Sequence, residues 1–175
     1  LQLLNCNDSS TTQERYLQVI HYKTAKLFES ASQIGAIINQ ADTETENSMA
    51  KYGMHLGTAF QIIDDVMDYS SDEEEMGKNV GDDLAEGKPT LPLIYAMQHG
   101  NNEQSDMIRK AIEQGGLDKI DEIMQTITAT GALDYSRKIA KQESDKAISY
   151  LSVLKDSDYK QALISLAQFS IERSY

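Results

Sequence analysis

Residues Phe60–Tyr69 read F-Q-I-I-D-D-V-M-D-Y, and this stretch decides how the chain folds and what it can bind. A helix would place Asp64, Asp65 and Asp68 on one side within a single turn, together with Gln61. Carboxylates this close raise each other's pKa unless a cation lies between them. The spacing therefore indicates a magnesium site, because Mg²⁺ takes oxygen ligands and completes its shell with water and phosphate.

The same triplet also fits a solvated acidic helix face, which is the commoner explanation of such a pattern. The neighbouring residues argue against that explanation. Four large aliphatic side chains flank the acids and would anchor the helix in a core: Ile62, Ile63, Val66 and Met67. The following segment, residues 77–92, has three glycines, two lysines and no apolar period. We therefore expect a buried helix whose acids face a cavity.

Composition and charge restrict the possible partners. The 175 residues are 40% hydrophobic and 25% charged, which is ordinary for a globular protein. Most of the net charge of −12 lies in residues 64–86, which contain ten acids and one base. Such a charge distribution argues against nucleic acid as a partner, because phosphate backbones bind basic patches, and it favours cations. No apolar run in the sequence approaches the roughly 20 residues of a membrane span, and a single cysteine, Cys6, fits a reducing cytosol. We expect a cytoplasmic protein.

The hydrophobic pattern predicts an all-α fold built as an antiparallel helical bundle. Capping-box spacings at Thr11 with Glu14 and at Thr43 with Glu46 predict two helix starts. The first helix should run to about Gln40, and the second should carry the aspartates. Further helices are predicted at about 89–100, 102–114, 117–129, 132–153 and 157–173.

Glycines mark two other features of the chain. Gly53 and Gly57 are four residues apart within the aspartate helix, which indicates close packing of a neighbouring helix. Residues 72–88 combine acids with glycines and have no apolar period, so they are predicted to form a mobile acidic loop. The chain is otherwise expected to be part of a single domain over residues 1–175.

Three segments together resemble the trans-polyprenyl diphosphate synthases. They read K-T-A-x-L-F at 23–28, F-Q-x-x-D-D-x-x-D at 60–68, and G-K-N-x-G-x-D-L-x-E-G-K-x-T-L-P-L at 77–93. The likeness extends over essentially the whole chain and is closest to the bacterial long-chain branch, which includes octaprenyl diphosphate synthase. It implies the helical bundle of the isoprenoid synthase type and, for the full-length enzyme, a homodimer.

The resemblance also implies an activity. Such prenyltransferases condense an allylic diphosphate with isopentenyl diphosphate: the allylic C–O bond ionises, the isopentenyl double bond attacks the carbocation, and a proton is lost. Mg²⁺ held by two aspartate-rich motifs assists departure of the diphosphate. The product would be a long-chain prenyl diphosphate, a precursor of quinone side chains.

Roles for residues of the aspartate helix and the following segment come from the same resemblance. Asp64, Asp65 and Asp68 match the second metal-binding motif, with Asp64 the most direct ligand and Asp68 acting partly through water. Asp82 matches an acid that orients waters on the metals. Phe60 matches a neighbour of the isopentenyl site.

Basic and polar residues are matched in the same way. Lys23, Lys78 and Lys88 resemble lysines that bind the allylic diphosphate, and ammonium groups there would favour a leaving group that gains negative charge. Thr24 and Gln61 match a polar pair beside the nascent carbocation, and with Lys23 they form the predicted catalytic set. Uncharged oxygens can stabilise a carbocation without capturing it.

Part of the family pattern is missing from this sequence. The first aspartate-rich motif and most of the isopentenyl site precede K-T-A-x-L-F in the family, and nothing in residues 1–15 resembles them. We therefore expect the C-terminal half of a longer enzyme, which would be inactive alone and would bind Mg²⁺ and diphosphate weakly. Missing helices should leave apolar surface exposed on the first helix and on the aspartate helix, which predicts self-association.

Two other functions stay open at this point. A non-catalytic subunit of a hetero-oligomeric prenyl synthase would usually lose motif acids and lysines, which this sequence keeps. An acidic helical protein that only binds cations would explain the charge cluster but not the lysines at 23, 78 and 88. Binding of Mg²⁺ that depends on diphosphate would distinguish the enzyme from the cation-binding protein.

Overall fold

A computed structural model describes residues 6–70 and 80–173, and all the regular structure in these ranges is helical, as predicted. The helices are α1 Gln13–Ile20, a π-helical turn His21–Ala25, α2 Lys26–Ile38, α3 Thr43–Met67, α4 Asp82–Ala85, α5 Leu91–His99, α6 Asn102–Gln114, α7 Ile120–Thr130, α8 Ala132–Tyr150, a 3₁₀ turn Leu151–Val153, and α9 Asp158–Glu172. None of these helices is both long and apolar enough to span a membrane.

The chain forms two compact units. The first consists of the described parts of residues 1–19 and 64–137, and the second of residues 20–63 and 138–173. Helices α3 and α8 each contribute residues to both units. The chain passes from one unit to the other between residues 19 and 20, 63 and 64, and 137 and 138, and all three points lie within helices, so no linker in the sequence marks the division.

Both predicted capping boxes, at Thr11 and Thr43, were wrong by one residue. The Thr12 hydroxyl accepts the backbone N–H three residues further on, at 3.2 Å. At the second start, a carboxylate oxygen of Asp42 accepts the N–H of Thr45 at 2.8 Å. Asp is among the best N-cap residues, and its charge complements the helix dipole, so Asp42 caps the helix in place of its neighbour.

The first predicted long helix is interrupted by the π-helical turn His21–Ala25 and ends at Ile38 rather than Gln40. A π-helical turn accommodates one extra residue and often occurs at functional positions. Here the turn contains Lys23 and Thr24. Of the later helices, the one predicted at 117–129 begins at Ile120, because residues 117–119 form a turn.

The first unit has its core where α5, α6 and α7 pack together, with α4 against α6. Its fully buried residues are Tyr69, Leu84, Leu93, Ala96, Ile108, Ile112, Ile123, Ile127 and Ala132. Helix α6 has well-defined ends. Asn101 forms a capping box with Gln104, and Gly115 ends the helix in the left-handed conformation, with φ +63°.

A separate core forms within the second unit. Its buried residues are Tyr52, Leu56, Ala147, Leu151 and Ala167. Polar groups next to this core find partners, as burial requires. The Tyr52 hydroxyl donates to the carbonyl of Leu163 at 2.9 Å, and Ser144 donates to the carbonyl of Ala167 at 2.7 Å. These bonds connect α3 and α8 to α9 within the unit.

Helix α3 approaches its neighbour closely at the two glycines, as predicted. A Cβ atom added to Gly53 would lie 2.3 Å from the backbone oxygen of Phe28, and one added to Gly57 would lie 2.7 Å from Cα of Ala25. Backbone atoms cannot move aside as a flexible side chain could. The spacing of the two helices therefore depends on hydrogen as the side chain at both positions.

Apolar side chains are exposed on α2, which confirms half of the exposure prediction. Leu27, Ile34 and Ile38 lie along one side of α2, and the first and last of them are 74% and 73% exposed. The same prediction was wrong for α3, where the described residues include no exposed large apolar side chain, because its apolar residues lie in the cores. Helix α9 also exposes Tyr159 and Phe169, which the sequence pattern did not indicate.

We expect the substitution Gly53→Ala to lower the free energy of unfolding by about 1–3 kcal/mol, because the new methyl group would force α2 and α3 apart. The matched control is Gly35→Ala on α2, where nothing lies within 4 Å of the added Cβ. That substitution should stabilise the protein by roughly 0.5–1 kcal/mol through helix propensity. Urea denaturation of both variants measures the difference, and equal stabilities would contradict the close approach at Gly53.

Candidate functional site

The three motif aspartates lie near the end of α3, but their environments differ. Asp64 is exposed, Asp65 is only 4% exposed, and Asp68 is half-buried. Among the described residues, no three His, Cys, Asp or Glu side chains form a group that could hold a metal ion. The structure therefore does not bring the three carboxylates to one point.

Asp65 is directed into the first unit by a partner on α1. The hydroxyl of Tyr16 donates a hydrogen bond to Oδ2 of Asp65, with 2.6 Å between the oxygens. Burial raises the pKa of Tyr16 well above its ordinary value, and the charge of Asp65 and this hydrogen bond raise it further. The hydroxyl therefore stays protonated and remains a donor. No local pattern in the sequence predicts this pair, whose members are 49 residues apart.

Asp68 anchors the segment that follows the predicted loop. We call residues 81–88 the strap. The carboxylate of Asp68 accepts the backbone N–H of Asp83 at 3.1 Å, and its carbonyl oxygen accepts the N–H of Gly81 at 3.0 Å. Gly81 has φ +85°, a left-handed conformation that favours glycine. Asp68 thus has a structural role in addition to any role towards a metal.

The strap and Val80 make up the part of the predicted mobile loop, residues 72–88, that the structure describes. Residues 72–79, which include Lys78, lie outside the described residues. Within the strap, Asp82 is half-buried in the first turn of α4, and Leu84 is fully buried in the core of the first unit. The core of the first unit thus takes up an apolar side chain from the segment predicted to be a loop.

Lys88 is held by two carboxylates of its own segment. Its ammonium nitrogen lies 2.8 Å from Oδ1 of Asp83 and 2.7 Å from Oε2 of Glu86. Desolvation lowers the pKa of Lys88, but the hydrogen bonds to Asp83 and Glu86 outweigh it, so the pKa is raised. Lys88 is therefore a fixed positive charge. A diphosphate could bind its ammonium group only by displacing one of these carboxylates or by binding alongside them.

In the second unit, the predicted polar pair is brought together. The Thr24 hydroxyl donates to Oε1 of Gln61, with 2.7 Å between the oxygens. Thr24 lies in the π-helical turn, and Gln61 lies on α3 and is 7% exposed. Lys23 precedes Thr24 and is exposed. The wider turn and the continuous helix α3 thus place two uncharged oxygens side by side.

Phe60 has a cationic neighbour that the sequence did not indicate. The guanidinium carbon of Arg173 lies 4.0 Å from the centre of the Phe60 ring, and Nη2 donates to the Phe60 carbonyl at 3.2 Å. The ring of Phe28 lies on another side of Phe60, with 5.5 Å between the ring centres. Arg173 follows α9, so residue spacing gave no reason to associate it with Phe60.

The side chains present fit a magnesium ion that has one protein carboxylate among its ligands. Mg²⁺ usually takes only one or two carboxylates and fills its remaining positions with water and substrate phosphate. Asp64 is an exposed carboxylate at the end of a rigid helix, so it could serve as such a ligand. A cation bound by Asp64 together with a diphosphate is compatible with these side chains, whereas a preformed cage of three aspartates is not.

We expect Asp68→Ala to destabilise the protein by about 1–2 kcal/mol, because the N–H of Asp83 loses its acceptor. Hydrogen exchange at the Asp83 amide should accelerate in this variant. The matched control, Asp64→Ala, removes an exposed carboxylate one turn earlier and should change stability by no more than roughly 0.5 kcal/mol. Denaturation combined with amide exchange tests this, and an equally protected Asp83 amide in both variants would rule out the anchoring role.

Comparison with known proteins identifies the family. Residues 1–129 match the family described as Polyprenyl synthetase. The chain is 52% identical over 175 residues to the octaprenyl diphosphate synthase of Haemophilus influenzae, and 51% identical over 174 residues to that of Escherichia coli. These matches cover 99% of the chain but only 53% and 54% of the relatives. The chain thus spans about half the length of the curated relatives it matches.

Solved structures agree with the sequence comparison. A decaprenyl diphosphate synthase from Rhodobacter capsulatus matches with a TM-score of 0.90 and 36% identity over 98% of this chain and 53% of that one. A polyprenyl synthase from Caulobacter crescentus, complexed with calcium and isoprenyl diphosphate, matches with a TM-score of 0.91 and the same identity and coverage. The helical bundle is therefore part of an isoprenoid synthase fold, and the chain belongs to the polyprenyl synthetase family.

Proposed function

We propose that this chain is part of a polyprenyl diphosphate synthase, a prenyltransferase that joins an allylic diphosphate to isopentenyl diphosphate and makes a long-chain prenyl diphosphate. The observation that carries the proposal is the identity of 52% over 99% of the chain with an octaprenyl diphosphate synthase. The contact between Thr24 and Gln61 supports it from the structure, because these residues match the family's catalytic polar pair.

In the proposed reaction, the lysines bind the diphosphate that leaves. Negative charge on this group increases as the allylic C–O bond breaks, so ammonium groups favour the transition state over the ground state. Lys23 is exposed and can turn towards a ligand without losing a buried partner. Lys88 is already held in place by Asp83 and Glu86, which reduces the entropy lost when it binds a phosphate oxygen. Lys78 is proposed to act with them from the matching sequence position.

Thr24 and Gln61 are proposed to stabilise the carbocation. The proton of the Thr24 hydroxyl is committed to Gln61, so the hydroxyl presents oxygen lone pairs to a neighbouring positive charge. Neither side chain is ionised, so neither combines with the cation as a carboxylate could. Gln61 is buried, which limits the access of water that would otherwise quench the intermediate.

Asp64 is proposed to hold Mg²⁺, with Asp68 and Asp82 contributing through hydrogen-bonded water. When bound, Mg²⁺ would supply Lewis-acid neutralisation of the leaving diphosphate. The relative from Caulobacter crescentus supports this, since it was solved with calcium and isoprenyl diphosphate. Exposure of Asp64 and burial of Asp65 favour Asp64 as the ligand.

We also propose that the full-length enzyme is a cytoplasmic homodimer. For this chain, the exposed apolar residues Leu27, Ile34 and Ile38 support self-association.

Light scattering over a range of concentrations should show species larger than the monomer. The double substitution Ile34→Lys and Ile38→Glu should reduce the fraction of these larger species without unfolding α2. An unchanged mass distribution would show that this side of α2 is not where the chains associate.

Calorimetric titration with Mg²⁺, in the presence and absence of inorganic diphosphate, tests the proposed function. We expect diphosphate to strengthen Mg²⁺ binding by about tenfold or more, since both ligands share one site. Asp64→Asn should abolish this effect, and the control Asp134→Asn, which alters an exposed acid of α8, should preserve it.

Diphosphate-independent Mg²⁺ binding and turnover by the chain alone would lead to different conclusions. Mg²⁺ binding that is indifferent to diphosphate would contradict the proposed function and favour a simple cation-binding protein. Turnover of allylic and isopentenyl diphosphates is not expected from this chain alone, because its sequence contains one aspartate-rich motif where the family uses two. Clear turnover by the 175-residue chain would overturn that expectation and would leave the proposed activity standing.

A further inference from the structure

The adjacent residues Asp64 and Asp65 face opposite surroundings. Successive residues on an α-helix point about 100° apart, so two neighbouring aspartates cannot both face the same cavity equally well. Asp64 is exposed to solvent, whereas Asp65 is 4% exposed within the first unit. The sequence pattern assigns both to the metal, but the helix geometry separates them.

A buried carboxylate needs hydrogen-bond donors, because desolvation of an unpaired charge is very costly. Tyr16 provides one such donor, at 2.6 Å from Oδ2 of Asp65. Tyr16 is itself 4% exposed, so the bond is shielded from water and its geometry is fixed by packing on both sides. The bond also joins α1 to the end of α3 within the first unit.

We propose that Tyr16 is a positioning residue: its hydroxyl holds Asp65 inside the first unit, and the helix then presents Asp64 to a divalent cation and diphosphate. Asp65 is accordingly a support of the site rather than a direct metal ligand. The inference rests on the proposed function, since it concerns the same cation and diphosphate.

Tyr16 would act on the site through Asp65, without touching the cation or the diphosphate. Loss of the hydroxyl would remove the donor that Tyr16 provides to Oδ2 of Asp65, and the buried carboxylate would no longer be held in this orientation. Because Asp64 immediately precedes Asp65 on the helix, a shift of the backbone at Asp65 would displace Asp64 as well. Residues that orient metal ligands typically change metal affinity by about tenfold or more when they are removed.

The test measures the affinity for Mn²⁺ at saturating inorganic diphosphate by electron paramagnetic resonance, at a temperature far below unfolding. Tyr16→Phe should weaken Mn²⁺ binding by roughly tenfold. Asp64→Asn should abolish binding. Asp65→Asn should stay within about threefold of the parent protein, because an amide oxygen can still accept the Tyr16 bond.

Tyr135→Phe is the matched control for loss of a tyrosine hydroxyl. The Tyr135 hydroxyl donates to Gln13 of α1 at 2.8 Å, so its removal also breaks one bond to the same helix in the same unit. Both tyrosine variants should lower the Tm by a few degrees, roughly 2–8 °C. Only Tyr16→Phe should change Mn²⁺ affinity, which separates positioning from a general loss of stability.

A second measurement does not depend on a metal. Carbodiimide coupling of glycine ethyl ester to carboxylates, followed by mass spectrometry, should label Asp64 readily and Asp65 slowly in the parent protein. In Tyr16→Phe, labelling of Asp65 should increase severalfold, while Tyr135→Phe should leave both rates unchanged.

Each outcome distinguishes the two proposals. If the parent protein binds Mn²⁺ no better with diphosphate than without it, the proposed function fails, and this inference fails with it. If the parent protein binds but Tyr16→Phe binds within twofold of it, the positioning role is overturned and the proposed function stands. If Asp65→Asn weakens Mn²⁺ binding as much as Asp64→Asn does, Asp65 is a direct ligand, and the inference is again overturned.

Discussion

The structure depends on one constraint: helix α3 must bury an aliphatic side along most of its length, and yet it carries two carboxylates near its end and is followed directly by a third. Tyr52 and Leu56 bury its first part in the core of the second unit. Near its end, burial continues through Val66, beside acids that cannot be left without donors. Each acid has a different environment: Asp64 is exposed, Asp65 accepts a hydrogen bond from Tyr16, and Asp68 accepts the backbone N–H of Asp83. The three residues of the motif are therefore chemically identical but have different structural roles.

Most of the fold could be predicted from the sequence, because helical periodicity depends on local spacing and on burial of one side. Gly53 and Gly57 were informative for the same reason, since glycine in the middle of a helix needs a packing explanation. The capping residues were predicted one position off, because neighbouring Thr and Asp side chains compete for the same N–H groups. Neither the π-helical turn at His21–Ala25 nor the division into two units has a local signal, since both result from tertiary packing.

The candidate site was less accessible to sequence reasoning. The contact of Thr24 with Gln61 followed from a family resemblance, and the structure brings these residues together. Periodicity predicted that the aspartates lie on one side of a helix. Successive helical residues point about 100° apart, however, and this rotation is enough to bury Asp65 while Asp64 stays exposed. Tyr16 and Arg173 could not be associated with the site in advance, because their partners are far away in sequence and no spacing rule connects them.

The π-helical turn sets a limit on changes in chain length. Such a turn contains one residue more than the α-helical repeat requires, so deletion of any one residue from His21–Ala25 would give a regular helix. That regular helix would be easier to form and would keep the flanking segments in their present phase, because the deleted residue is the one that the wider turn absorbs, but the residues within the turn would lose their present positions. Thr24 could then no longer meet Gln61 from an otherwise intact bundle. At this turn the number of residues is as decisive as their identity, so a shortened protein could fold more readily and still lose its polar pair.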